Sequence, residues 1–192
     1  MKKNLEAKTM VFPFLTPVFV VATYDEKGSP NAMTAAWGGI CCSEPPCVTV
    51  SLRKATYTYN SLMEKKAYTL NIPGKAYAKE ADYFGIASAR DEDKFAVTGL
   101  TPVKAEFVDA PYIEEFAVNL ECKIVHIADL GLHTQFVGEV LAVKVDASIA
   151  ENEKQPIIEQ IMPLLFSPNS RGYYIPGDTL GRAFSIGKGL KE

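Results

Sequence analysis

The densest chemistry in this sequence lies in one run, Ser51-Leu52-Arg53-Lys54-Ala55-Thr56-Tyr57-Thr58-Tyr59. Two adjacent cations and several hydroxyls follow the β-branched stretch Val48-Thr49-Val50, where a strand would give way to a helix. A phosphate monoester wants this set: charge-assisted bonds from Arg and Lys, hydroxyl donors, and free N–H groups at a helix N-terminus. The same residues also fit an exposed strand end with solvated charges and Thr56 as the helix cap. Strand alternation sends Arg53 and Lys54 to opposite faces, so one of them points into such a site.

A second run, Asn31-Ala32-Met33-Thr34-Ala35-Ala36-Trp37-Gly38-Gly39, sets small residues around one Thr and the sole Trp. Small side chains let a flat ligand lie against the backbone, whose N–H groups can donate to ring nitrogens and carbonyls. They also suit a strand packed beneath a helix. Of the two histidines, His126 falls on the polar face of a strand and His133 at a strand end. No HExxH, GxSxG, Walker or GxGxxG pattern occurs, which argues against classical hydrolases, kinases and Rossmann dehydrogenases. Cys41, Cys42, Cys47 and Cys122 lack zinc-ligand spacing and read as small buried thiols kept reduced, so no metal site is expected.

Charge narrows the ligand further. Lys plus Arg number 20 against 23 Asp plus Glu, a net charge of −3. An acidic chain lacks the basic field that non-specific nucleic-acid binding needs, so any bound anion must be held by a few local cations. Apart from the N-terminus, no apolar run approaches the ~20 residues of a membrane span. The apolar stretch at 10–22 is broken by Pro13 and Pro17, unlike a signal peptide. A cytoplasmic protein with no membrane or nucleic-acid partner is expected.

The elements that must position these residues are mainly β. Strands are predicted at 18–24 and 31–37 around a turn at 25–28, then at 48–52 after the rigid turn at 43–46, with Gly38-Gly39 loosening the chain between. A helix at 59–66 leads to a strand at 67–72. A second helix at 76–87 presents Tyr77, Ala81, Phe84 and Ala87 on one face, and a short one at 90–95 is capped by Asp91. Strands follow at 103–108, 116–127 and 133–145. The last two form a hairpin that turns at 129–131, with Phe116, Val118, Leu120, Cys122 and Ile124 on one face and a bend or bulge at Gly138. A helix at 157–162 precedes a loop-rich tail. No linker or repeat divides residues 1–192, so one β-barrel domain with short inserted helices is expected.

Taken together, Asn31 to Trp37, Arg53 to Tyr59, Asn71-Ile72-Pro73, Ser88 to Phe95 and His133 to Val140 resemble the flavin reductase-like FMN-binding family, flavoredoxins among them, over roughly residues 17–185. The resemblance implies a split β-barrel, a homodimer, and FMN held without a covalent link. It implies that Asn31, Thr34, Ala35, Ala36 and Trp37 border the isoalloxazine. Ser51, Arg53, Lys54, Thr56, Tyr57 and Thr58 would follow the ribityl phosphate, with Lys94 approaching it. His133 would neighbour flavin or nicotinamide, or else face solvent at its strand end. Leu132 and Ala89 stand where Asp and Gly are commoner in the family, which bears on nicotinamide use more than on FMN. The implied function is electron transfer through FMN, fed by NAD(P)H or a protein donor, with no side chain assigned acid–base work. The alternatives are an NAD(P)H:FMN oxidoreductase that releases reduced flavin and a non-redox flavin-binding module.

Overall fold

The β-branched and aromatic runs do become strands, and the reason is burial on one or both faces. The computed structural model describes residues 2–4, 6, 12–151, 155–156 and 158–190. In chain order it contains β1 (Thr16–Pro17), β2 (Phe19–Tyr24), β3 (Pro30–Ala35), β4 (Gly38–Ser43) and β5 (Pro46–Arg53). Helix α1 (Tyr57–Lys65), β6 (Ala67–Ile72), α2 (Ala78–Ile86) and α3 (Lys94–Thr98) follow. Next come β7 (Pro102–Lys104), β8 (Pro111–Ile113) and the long pair β9 (Val118–Asp129) and β10 (His133–Val145). The chain closes with β11 (Ala150–Glu151), β12 (Gln155–Pro156), α4 (Ile158–Ile161), β13 (Leu165–Ser167) and β14 (Gly172–Tyr174).

The fold is mainly β, a split barrel with short inserted helices. Its principal sheet has seven strands in the order β3-β2-β6-β9-β10-β5-β4. Strand β2 explains why its sequence is apolar without alternation. Phe19 and Val21 face the barrel interior with Val50, Leu52, Tyr68, Leu70 and Phe136. Val18, Val20 and Ala22 face the other way, under Ala81 and Phe84 of α2 and Phe95 of α3. A strand buried on both faces needs no polar side. Leu62 of α1 also enters the interior cluster. Strands β3 and β4 occupy opposite edges of this sheet, yet only Ala36 and Trp37 separate them in sequence. The Ser51 amide donates to the Trp37 carbonyl at 2.7 Å, fastening that short crossover to β5.

Several sequence expectations are corrected. Gly38-Gly39 is not a loose joint but the start of edge strand β4. A Cβ at Gly38 would overlap the Thr49 carbonyl oxygen, so glycine is what lets β4 lie this close. The cap of α3 is Asp93, whose carboxylate accepts from the Phe95 and Ala96 amides, not Asp91, and the helix runs 94–98 instead of 90–95. The strand expected at 103–108 shortens to β7, which pairs with β8. Strand β9 starts two residues after Phe116, and its first half is buried on both faces, with Asn119 and Glu121 inside. Cys41 and Cys42 are exposed, and only Cys47 and Cys122 are buried.

Other expectations stand. Strand β10 has the anticipated limits, and Gly138 marks a register shift against β9. Its missing side chain makes room for Tyr68, since a Cβ there would overlap the Tyr68 hydroxyl and sit 2.8 Å from Cζ. Ala81 and Phe84 form the buried face of α2. Helix α4 is four residues long, and Met162 already turns left-handed at φ 45°. Ile157, Met10 and Val11 lie outside the described residues. No helix among the described residues is long and apolar enough to cross a membrane.

Candidate functional site

The outer edge of β3 is free of sheet pairing, and α2 runs alongside it. Between them opens a groove whose wider end is a cavity of about 380 Å³, within the range typical of small-molecule sites. Thr34, Ala35, Ala36 and Trp37 line one wall, Ser51, Arg53 and Thr56 another, and His133 joins them from β10. His133 reaches this place because β10 pairs with β5 in a register that sets it opposite Arg53.

The mouth is aromatic. The Trp37 and His133 rings are parallel to within 5°, with centroids 6.2 Å apart. Phe166 of β13 approaches Trp37 at 6.3 Å and Tyr173 of β14 at 5.8 Å. The Tyr173 hydroxyl donates to Asp82 Oδ1 at 2.9 Å, tying the C-terminal hairpin to α2. Burial, then this carboxylate, push the Tyr173 hydroxyl pKa up to about 12. Burial and the Arg53 charge lower the pKa of His133, so its imidazole is neutral at pH 7.

The groove continues into a second cavity of about 190 Å³ that shares Met33, Thr56 and Gly85 with the first. Tyr57, Thr58, Ser88, Arg90 and Lys94 line it. Helix α1 begins here, with no acidic residue in its first turn and no side-chain cap on its N-terminus, leaving N–H groups that favour an anion. The Arg90 guanidinium lies 5.6 Å over the Tyr57 ring and donates to the Ala55 carbonyl at 3.3 Å.

Thus Thr34, Ala35, Ala36, Trp37, Ser51, Arg53, Thr56 and His133 meet at one cavity, and Thr56, Tyr57, Thr58 and Lys94 at the next. Several of their polar groups already have protein partners. The Thr34 hydroxyl donates to the Ala81 carbonyl and the Thr56 hydroxyl to the Arg53 carbonyl. Lys94 donates to Ala32 and Ala87 carbonyls, and burial lowers its pKa to about 8. Asn31 sits behind the groove, where its amide donates to Thr58 Oγ1 at 2.8 Å. Lys54 lines neither cavity. It follows the last residue of β5 and pairs with Asp129 at the end of β9. Arg53 is therefore the member of the cationic pair that faces the groove.

Sequence reasoning missed Asp82, Ile86, Phe166 and Tyr173, which come from α2 and the C-terminal hairpin. It also left Arg90 in a family motif without a role. The exposed aromatic pair Tyr173-Tyr174 in a loop-rich tail was the one available signal.

The sequence matches the flavin reductase like domain over residues 11–174. The chain belongs to the flavin reductase-like family. This makes it a flavin-binding protein of a redox class. Members of similar structure include a flavoredoxin of Desulfovibrio vulgaris (Miyazaki F), 52% identical with a TM-score of 0.90 over 98% of this chain and 100% of that one. A flavoredoxin from Methanosarcina acetivorans is 28% identical, with the same TM-score and coverage. An uncharacterised protein of Archaeoglobus fulgidus is 33% identical over 114 residues, 59% of this chain. The match spans 64% of that relative's length. The groove fits the family's ligand on its own chemistry: a flat aromatic slot that ends at guanidinium groups and a helix N-terminus suits a planar ring system bearing a terminal phosphate.

Proposed function

We propose that this protein holds FMN non-covalently in the groove and carries electrons through it as a homodimer, receiving them from NAD(P)H or a protein donor. The observation that carries the reading is the continuity of the aromatic slot with a cationic end at the start of α1. When bound, FMN supplies hydride and single-electron transfer.

The chain's own residues do the rest. Arg53 and Arg90, with the first turn of α1, bind the phosphate. The edge of β3 offers its backbone to the ring system. Lys94 holds that edge by donating from α3 to its Ala32 carbonyl, and Thr34 by donating from the edge to the Ala81 carbonyl of α2. Trp37, Phe166 and Tyr173 shield one side from water, and the hydrogen bond from Tyr173 to Asp82 closes the end. His133 stacks on Trp37 at the mouth, and burial with the Arg53 charge lowers its pKa.

Equilibrium dialysis tests the reading: one FMN per chain at micromolar concentration is expected, and no binding refutes it. An anaerobic titration with NADH, NADPH and reduced ferredoxin, followed by flavin absorbance, identifies the donor class. Sustained NAD(P)H oxidation that needs excess free FMN would instead mark a reductase that releases its flavin.

A further inference from the structure

We propose that Asp25, with Glu92 and Asp93 beside it, makes the phosphate end of the groove selective for a flavin mononucleotide over the dinucleotide FAD. This inference rests on reading the groove as the FMN site.

The phosphate end is not a dead end. The second cavity shares Tyr57, Ala89 and Lys94 with a third of about 350 Å³. A ligand longer than FMN therefore has somewhere to go, and what it meets there decides whether it is held. Asp25, Glu92 and Asp93 supply carboxylates to that third cavity, and Lys27 and Lys94 supply cations. The three carboxylates outnumber the two cations, and the Lys94 ammonium spends donors on the Ala32 and Ala87 carbonyls while keeping its charge. Glu26 and Glu64 line a further small cavity together with Asp25, Tyr57 and Arg90.

Asp25 is the fixed element of this wall. It is only 8% exposed. Its Oδ1 accepts from the Lys27 and Ser29 amides, both at 2.8 Å, and its Oδ2 accepts from the Tyr57 hydroxyl at 3.0 Å. Burial raises its pKa, but the Ser29 amide, the Tyr57 hydroxyl and the Lys27 amide outweigh that and keep it ionised. Tyr57 thereby spends its hydroxyl on Asp25 and has no proton left for a second phosphate.

Asn31 offers a second phosphate little, since its amide already donates to Thr58. It is 3% exposed, lines the third cavity, and leaves Oδ1 without a partner among the described residues. Arg90 lies over the Tyr57 ring and lines the second cavity but not the third, where Asp25, Glu92 and Asp93 outnumber the cations. The first phosphate is drawn in, and a second, placed one bridging oxygen further along, meets carboxylates in a partly desolvated channel.

The test is the ratio of FAD to FMN dissociation constants for the full chain stripped of flavin, measured by flavin fluorescence for wild type, Asp25→Asn and Glu92→Gln. Wild type should favour FMN by about 100-fold, and Asp25→Asn should cut that ratio about tenfold, mainly by tightening FAD. Glu92 is exposed, so Glu92→Gln leaves the fold intact and should move the ratio the same way by about threefold even if Asp25→Asn does not fold. Raising ionic strength should also shrink the wild-type preference. A wild type that binds FMN and FAD equally, or a ratio that neither variant moves, overturns the proposal. A wild type that binds no FMN at all overturns the reading of the groove instead.

Discussion

Lys94 donates its buried ammonium to the Ala32 carbonyl and so ties helix α3 to the free edge of β3. The bond places a cation 4% exposed beneath the groove, and burial lowers its pKa from 10.5 to about 8. Between those two values the unfolded chain binds more protons at this residue than the folded one, so stability rises with pH across that window. Below about pH 8 both states carry the charge and the cost of burying it is felt in full. Relative to Lys94→Met, wild type should therefore gain stability from about pH 8 to 10.5, by up to about 3 kcal/mol. Urea denaturation of both proteins at several pH values checks this, and a constant difference would contradict it.

Arg53 faces the groove while Lys54, just past the end of β5, pairs with Asp129. Arg53→Ala should weaken FMN by about 10- to 150-fold, the equivalent of one charged hydrogen bond. Riboflavin, lacking the phosphate, should lose little, and Lys54→Ala should leave both ligands almost unchanged. Equal losses of FMN and riboflavin in Arg53→Ala would show that its guanidinium does not hold the phosphate.

Gly138 and Tyr68 are packed with no space for one more carbon. Gly138→Ala should destabilise the barrel by about 1–3 kcal/mol, the usual cost of overpacking a core. Adding Tyr68→Phe removes the nearest atom and should recover part of that loss. Chemical denaturation of the two single variants and the double variant measures the coupling, and strictly additive effects would rule the clash out.

The segment after β14 exposes Leu180 and Phe184 at 91% and 99%, with Ile186 and Leu190 close by. So much apolar surface on a tail without its own core calls for a covering partner, and a second copy is the expected one. Sedimentation velocity at micromolar concentration should give twice the chain mass of 21.0 kDa. A monomer at every concentration would refute the homodimer.

What could be read from the sequence follows from where its signal is local. Strand β10 and the segments 31–37 and 51–58 announce themselves because alternation, β-branching and clustered donors act over a few residues. Strand β4 does not, since glycine is a strand breaker by propensity and its value there is the approach to Thr49. Asp91 and Asp93 are equally good caps on paper, and the choice between them is made by Phe95 having to enter the core beside Phe84. Phe166 and Tyr173 join the groove from far along the chain through the pairing of β13 with β1 and β14. Contacts of that sequence separation leave no short pattern to find.

The two outer strands of the principal sheet, β3 and β4, are joined through Ala36 and Trp37 at the mouth of the groove. A molecule lodged there acts as a rivet through a seam, because opening the barrel at that edge requires letting it go. Affinity and resistance to opening then become one quantity seen from two sides, growing together with ligand concentration. Without flavin, β3 would exchange its amide hydrogens sooner than it does with flavin bound.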